Sequence, residues 1–237
     1  QGPLNKLRGD IVPEAKSLLQ RHAEYYTKNM GLRIFPCNGK TPATPHGCKD
    51  ATTDPAQIAE WWGGGSTYNV AIATGGGLVV LDVDTAHDAG KFGDETLADL
   101  EQQYGPLPET WTCLTGGGGV HYYFQCDDPA LTVAVGFAPG LDYRGAGGYV
   151  IAPPSIHPTT GRAYEWEASS TPTSVPLAPL PDWLHRLMLQ GKRDKPKQTK
   201  SKEAPGKVTE GRRNEEMFHL AASLRAKGLT VAEITAA

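Results

Sequence analysis

The stretch Leu78-Val79-Val80-Leu81-Asp82-Val83-Asp84 decides how this chain is read. An unbroken apolar run predicts a strand buried on both faces. The run ends in two aspartates spaced i, i+2, which on a strand puts both carboxylates on one face and Val83 on the other. Two carboxylates at the mouth of a buried strand repel each other unless their charge is offset. A divalent cation is the usual answer, and oxygen-only ligands suit Mg²⁺ or Mn²⁺. The competing reading is a plain pair of acids at a strand end.

Downstream, strands predicted over 110–114 and 120–125 are joined by Gly116–Gly119 and lead into Val120-His121-Tyr122-Tyr123-Phe124. On a strand His121 and Tyr123 share one face, and Tyr122 and Phe124 the other. His121 is read either as a satisfied structural residue or as a donor to phosphate. The glycines either let a ligand approach the backbone closely or form only a loose hairpin. They are not a P-loop, because no Gly-Lys-Ser/Thr follows.

A third apolar stretch ends at Asp142, and Arg144 follows two residues on. Asp82, Asp84 and Asp142 then form a three-carboxylate set from two separated strands, the kind that holds two ions in phosphoryl or nucleotidyl transfer. Arg144 is placed to clamp a phosphate, with a simple Asp–Arg pair as the alternative. Ser155 and His157, in a loop stiffened by Pro153-Pro154, and Lys40, in Gly39-Lys40-Thr41-Pro42, are further candidates for phosphate or sugar contacts. They read equally as ordinary turn residues.

The remaining pattern mixes strands and helices, which predicts an α+β (or mixed α/β) fold. Helices are expected over 13–30, from Asp54-Pro55 to Trp62, over 94–104 and over 182–189. Further strands are expected at 32–35, at 70–73, at 140–144 paired with 149–152, and at 162–166. The expected organisation is a catalytic domain over 13–190, a basic flexible linker over 191–211 and a helical segment over 212–237. Residues 1–12 read as an extension whose Gln1-Gly2-Pro3 resembles a tag remnant.

The chain has 237 residues, 39% hydrophobic and 21% charged, which suits a soluble globular protein. No apolar run approaches the roughly 20 residues that span a bilayer, and no apolar leader opens the chain, so no membrane association and a cytoplasmic location are expected. Cys37, Cys48, Cys113 and Cys126 are expected as free thiols. Cys37, His46 and Cys48 match no zinc spacing, so neither structural zinc nor an organic cofactor is expected. The net charge of −3 is uneven, with nine Lys/Arg against three acids over residues 191–213. That basic stretch reads as a solvated linker or as a contact for a polyanion.

Taken together, several segments in order resemble the bifunctional primase–polymerase (prim-pol) family of the archaeo-eukaryotic primase superfamily. These are Gly39–Pro42 with His46–Thr52, Trp61-Trp62, Asn69–Gly75, Leu81–Asp84, Gly117–His121, Leu141–Gly145 with Gly147–Tyr149, and Ala152–Ser155. The resemblance covers roughly residues 14–190. Two positions depart from it: Cys48 stands where an aromatic is expected, and Gly119 where many relatives have Ser. The resemblance implies an RRM-like catalytic sheet combined with a second small α/β unit, a cleft between them and a C-terminal helical appendage. It also implies template-dependent primer synthesis and extension from dNTP or NTP on single-stranded or primed DNA. Asp82, Asp84, Asp142 and His121 are then catalytic, with two Mg²⁺ or Mn²⁺ ions on the aspartates. His121, Arg144, Ser155, His157 and Lys40 are then the nucleotide contacts. The segment from Gly211-Arg212-Arg213 resembles one found in phage and plasmid replication proteins of bacterial hosts that continue into a helicase. Two other readings stand beside this one: a rolling-circle nuclease, which needs paired His ligands and a Tyr nucleophile, and a non-catalytic single-strand-binding module.

Overall fold

The structure, a computed structural model, describes residues 15–85 and 90–193. Helix α1 (Leu18–Met30) starts where the Ser17 hydroxyl accepts from the Gln20 N–H, and stops at Gly31, whose φ of 65° suits glycine. The expected start near Pro13 lies outside the described residues. The stripe α1 buries is Ala23, Tyr26 and Thr27, whereas Leu18 is exposed. In α2 (Pro55–Trp62) Asp54 caps the Ala56 N–H and Pro55 takes the first turn, as the sequence predicts.

The strands are β1 (Ile34–Asn38), β2 (Thr41–Pro42), β3 (Asn69–Ala73), β4 (Gly77–Val83), β5 (Thr112–Leu114), β6 (Val120–Cys126), β7 (Val133–Ala138), β8 (Leu141–Arg144), β9 (Tyr149–Ile151) and β10 (Glu165–Trp166). Helix α3 (Gly93–Tyr104) follows β4, and α4 (Asp182–Arg193) closes the described chain. They form a mixed α+β fold with two antiparallel sheets, ordered β2-β1-β3-β9 and β10-β5-β6-β4-β8-β7. No helix among the described residues is long and apolar enough to cross a membrane.

Strand β4 explains its own sequence. Val79, Leu81 and Val83 enter one apolar cluster with Leu97, Phe124, Leu141 and Met188. Leu78 and Val80 enter the other, with Tyr26, Trp62, Ile72 and Tyr123. Both faces are buried, so no polar position interrupts the run. Each fully buried Val or Leu contributes roughly 1.5–3 kcal/mol here. Asp82 is the next residue on the face of Leu78 and Val80, and there the second cluster ends.

Four expectations need correction. Residues 140–144 and 149–152 form strands but do not pair: β8 is bonded on its two edges by β4 and β7, so β9 takes the free edge of β3. Gly145–Gly148 carry the chain between the sheets, with Thr74 Oγ1 donating to the Gly145 carbonyl at 2.7 Å. Strand β7 has no counterpart among the expected strands. It is an edge strand with a register shift between Ala134 and Ala138, and Val133 and Val135 are exposed, so its pattern lacks a buried face of regular period. The strand expected over 162–166 is only two residues long, because its pairing with β5 covers Glu165 and Trp166 alone. The closing helix continues past Leu189 to Arg193, where Gly191 lies against Phe137 of β7. The rest of the expected linker, the segment 212–237 and residues 1–12 lie outside the described residues.

Tyr26 ties the second cluster together. Its hydroxyl donates to the Pro153 carbonyl at 2.5 Å and accepts from the Trp166 indole N–H at 3.1 Å. Tyr26→Phe leaves both groups without that partner and is expected to cost about 1–3 kcal/mol, read as a lower urea midpoint with an unchanged far-UV spectrum.

Candidate active site

Register builds the site. On β4, Asp82 is directly opposite His121 of β6 on one side and Asp142 of β8 on the other. His121 is in turn opposite Cys113 of β5. Opposed residues share a face, so four strands present a row: Cys113, His121, Asp82, Asp142. Tyr123 and Arg144 stand two residues along on the same face.

The charges in the row are matched. His121 Nε2 is 3.4 Å from Asp82 Oδ1. Arg144 Nη2 bridges two carboxylates, 3.2 Å from Asp82 Oδ2 and 3.0 Å from Asp142 Oδ2. The Gly136 N–H donates to Asp142 Oδ1 at 2.6 Å. Asp84, just past the end of β4, receives Lys91 Nζ at 2.6 Å. Of the two sequence readings for Arg144, the Asp–Arg pair is therefore present, and it is double. His121 is not a fully satisfied structural histidine, because its buried Nδ1 has no hydrogen-bond partner among the described residues.

Burial works to raise the Asp82 carboxyl, but the hydrogen bond and charge of His121, with Arg144, outweigh it and hold Asp82 at about 2. Asp142 goes the other way. Burial pushes it up, the Gly136 N–H and Arg144 pull it down, and Asp82 and Asp84 push it up again. The Lys91 ammonium is pushed up by its hydrogen bond to Asp84, against some desolvation, and Asp142 and Asp82 add to the rise. The three carboxylates are thus close enough to feel one another and the same cation.

The row opens into a cleft with two lobes, of about 390 Å³ and 310 Å³, both lined by Lys40, Asp82, His121 and Tyr164. The larger lobe adds Val133, Arg144, Tyr149 and Ile151. The smaller adds Asp84, Lys91, Thr115, His157 and Thr160.

His157 lines the smaller lobe of the cleft. Its Nδ1 accepts from the Thr159 and Thr160 N–H groups, each at 3.3 Å. The neutral ring then carries its proton on Nε2, the atom on the Gly117 side. Burial, with the Lys40 and Arg162 charges, lowers its pKa and favours that neutral form. Ser155 does not join the group. It is fully buried, and its hydroxyl accepts from the Val70 N–H at 2.9 Å, pinning the loop to β3. Cys37 lies in the core, where burial pushes its thiol up to about 12, and Cys48 Sγ faces the Gly147 carbonyl at 3.2 Å.

The glycine hairpin is tied rather than loose. Thr115 Oγ1 accepts from the Gly119 N–H, and the Gly116 carbonyl accepts from Thr160 Oγ1 and Arg162 Nε. Within the run only Gly118 has a positive φ, 100°. Gly119 is there for closeness, since a Cβ would stand 2.5 Å from the Val83 carbonyl oxygen. The Ser that the resemblance expects at 119 does not fit this backbone.

Sequence reasoning missed Tyr164 and Lys91. The Tyr164 ring lies between His121 and His157, at 6.2 Å and 6.1 Å. It belongs to no motif and arrives through β10's neighbouring loop. Lys91 lies seven residues beyond Asp84, a spacing no local period singles out.

Asp82, Asp84 and Asp142 offer oxygen-only donors, whose chemistry fits a hard divalent cation. Among the described residues no three His, Cys, Asp or Glu side chains are already gathered as an ion cage. Arg144 and Lys91 hold the carboxylates instead.

A cleft that gathers carboxylate, imidazole, guanidinium and ammonium groups at the end of a buried strand is suited to a charged, phosphate-bearing substrate. The model of the bifunctional DNA primase/polymerase N-terminal family matches residues 23–183, which include every residue of the row. The chain belongs to that family. Membership implies nucleotidyl transfer in general, with DNA and nucleotides as substrates. No curated protein matches this chain.

Two outcomes follow from this geometry. The Asp82 carboxyl sits at about 2 when folded against an ordinary 3.8, so its contribution to stability is present above pH 4 and lost as pH falls toward 2. The stability difference between wild type and Asp82→Asn, from urea unfolding at stepped pH, is expected to shift by about 2 kcal/mol against wild type over that window. Gly119→Ser is expected to lower stability by roughly 1–3 kcal/mol through overpacking against Val83, measured by the same unfolding.

Proposed function

We propose that this chain is a template-dependent nucleotidyltransferase that acts as DNA primase and DNA polymerase, starting chains from nucleotides and extending primers. The observation that carries the proposal is the in-register row His121, Asp82, Asp142, lying within the family-matched residues. On this reading Asp82, Asp84 and Asp142 hold two Mg²⁺ or Mn²⁺ ions. When bound, such ions supply the Lewis acidity that activates a 3′-hydroxyl and stabilises leaving pyrophosphate.

The other residues bind and orient. Lys40, His121, His157 and Arg144 line the lobes and supply N–H donors for a triphosphate. The larger lobe, with Val133, Tyr149 and Ile151 in its wall, suits sugar and base. Ser155 supports rather than contacts the nucleotide, because its hydroxyl is used in holding the His157 loop to β3. The template is single-stranded or primed DNA. The role that fits the resemblance is replication of phage or plasmid DNA in a bacterial cytoplasm.

The test is incubation with a template, labelled dNTP or NTP and Mn²⁺. Template-dependent products are expected, and Asp82→Ala or Asp84→Ala is expected to reduce them about a hundredfold or more. A covalent 5′-phosphotyrosyl adduct would overturn the proposal in favour of a nuclease. Tight single-strand binding without synthesis, indifferent to metal and to both substitutions, would overturn it in favour of a binding module.

A further inference from the structure

Arg144 and Lys91 offset the same set of carboxylates but are held very differently. Arg144 projects from β8, touches two carboxylates and has a side chain only 25% exposed. Among the described residues Lys91 makes an ion pair with Asp84 alone, with a side chain 50% exposed, from the segment just before α3. A single ammonium–carboxylate contact open to water on a flexible stem exchanges readily, whereas a guanidinium shared between two largely buried acids does not. The backbone of Asp84 is held on both sides. The Asp84 N–H donates to the Gly140 carbonyl at 2.9 Å, and the Gly93 N–H donates to the Asp84 carbonyl at 2.8 Å. Gly93 also fits so closely that a Cβ would stand 2.6 Å from the Asp84 carbonyl oxygen. Lys91 itself lines the smaller lobe, together with Lys40, Thr115 and His157, so its ammonium has the lobe beside it when it leaves Asp84.

We propose that Lys91 is a tethered counter-ion of Asp84, which a divalent cation must displace, and that the displaced ammonium then serves the phosphates of the nucleotide. The proposal rests on the nucleotidyl-transfer reading and deepens it. A divalent ion concentrates twice the charge on the carboxylate and outcompetes one ammonium. While Lys91 is on Asp84, the ion meets a competitor built into the chain. Once released, the same charge is available to an anion in the lobe. One residue then opposes the metal and assists the nucleotide.

The signature is two effects of opposite sign. In the full chain, Lys91→Gln is expected to bind Mn²⁺ alone roughly three- to tenfold more tightly, read from the electron-spin-resonance signal of free Mn²⁺. At saturating Mn²⁺ the same variant is expected to bind dATP roughly three- to tenfold more weakly by calorimetry. Lys91→Arg, which keeps the charge, is expected to stay near wild type in both. If Asp84→Asn loses Mn²⁺ affinity but Lys91→Gln does not gain it, the counter-ion role is overturned and the metal reading survives. If Lys91→Gln weakens both ligands, the residue is a structural prop and the proposal fails. If neither Asp82→Asn nor Asp84→Asn changes Mn²⁺ affinity, the metal reading fails and the proposal with it.

Discussion

The burial of β4 on both faces is the constraint from which the rest of the structure follows. The strand runs between two apolar clusters and is bonded on both edges, to β6 over seven residues and to β8 over four. A slip of one residue would drive Asp82 into the cluster of Leu97 and Phe124 and bring Leu81 to the cleft. Register is therefore fixed by packing, independently of any functional group. The carboxylate appears at the one point where a face of the strand runs out of apolar neighbours.

That placement creates an electrostatic problem, and the charges around it are its solution. Three carboxylates near one another at the edge of a core are unfavourable unless hydrogen-bonded and paired. Arg144 serves two of them, Lys91 serves the third, His121 stands beside Asp82, and a backbone N–H from the β7 bulge region binds Asp142. The edge strand β7, which carries no recognised motif, thus has a direct part in holding the site.

Much of the fold and of the site is legible in the amino-acid sequence. Asp54-Pro55 sets the start of α2, Gly31 the end of α1, and the unbroken apolar run 78–81 the buried central strand, since each depends on neighbours a few residues away. Asp82, Asp142, His121 and Arg144 likewise stand out from strand ends and alternation, and all four meet on one face. What escapes the sequence is of another kind. The partner of β9, the edge strand β7, the inward turn of the Ser155 hydroxyl and the arrival of Tyr164 between two histidines all depend on residues far apart in the chain. Tyr164 is 43 positions from His121, and no local period links them.

The sequence by itself determined which residues carry charge and chemistry, and where most of the strands and helices form. Those properties come from side-chain type and short-range periodicity, which are written locally. Only the tertiary structure decided that β8 and β9 part company, that Asp82 stands between His121 and Asp142, and that Arg144 and Lys91 already occupy the acids. Strand pairing is a choice among distant hydrogen-bonding edges, and that choice is made by how two apolar clusters close around β4.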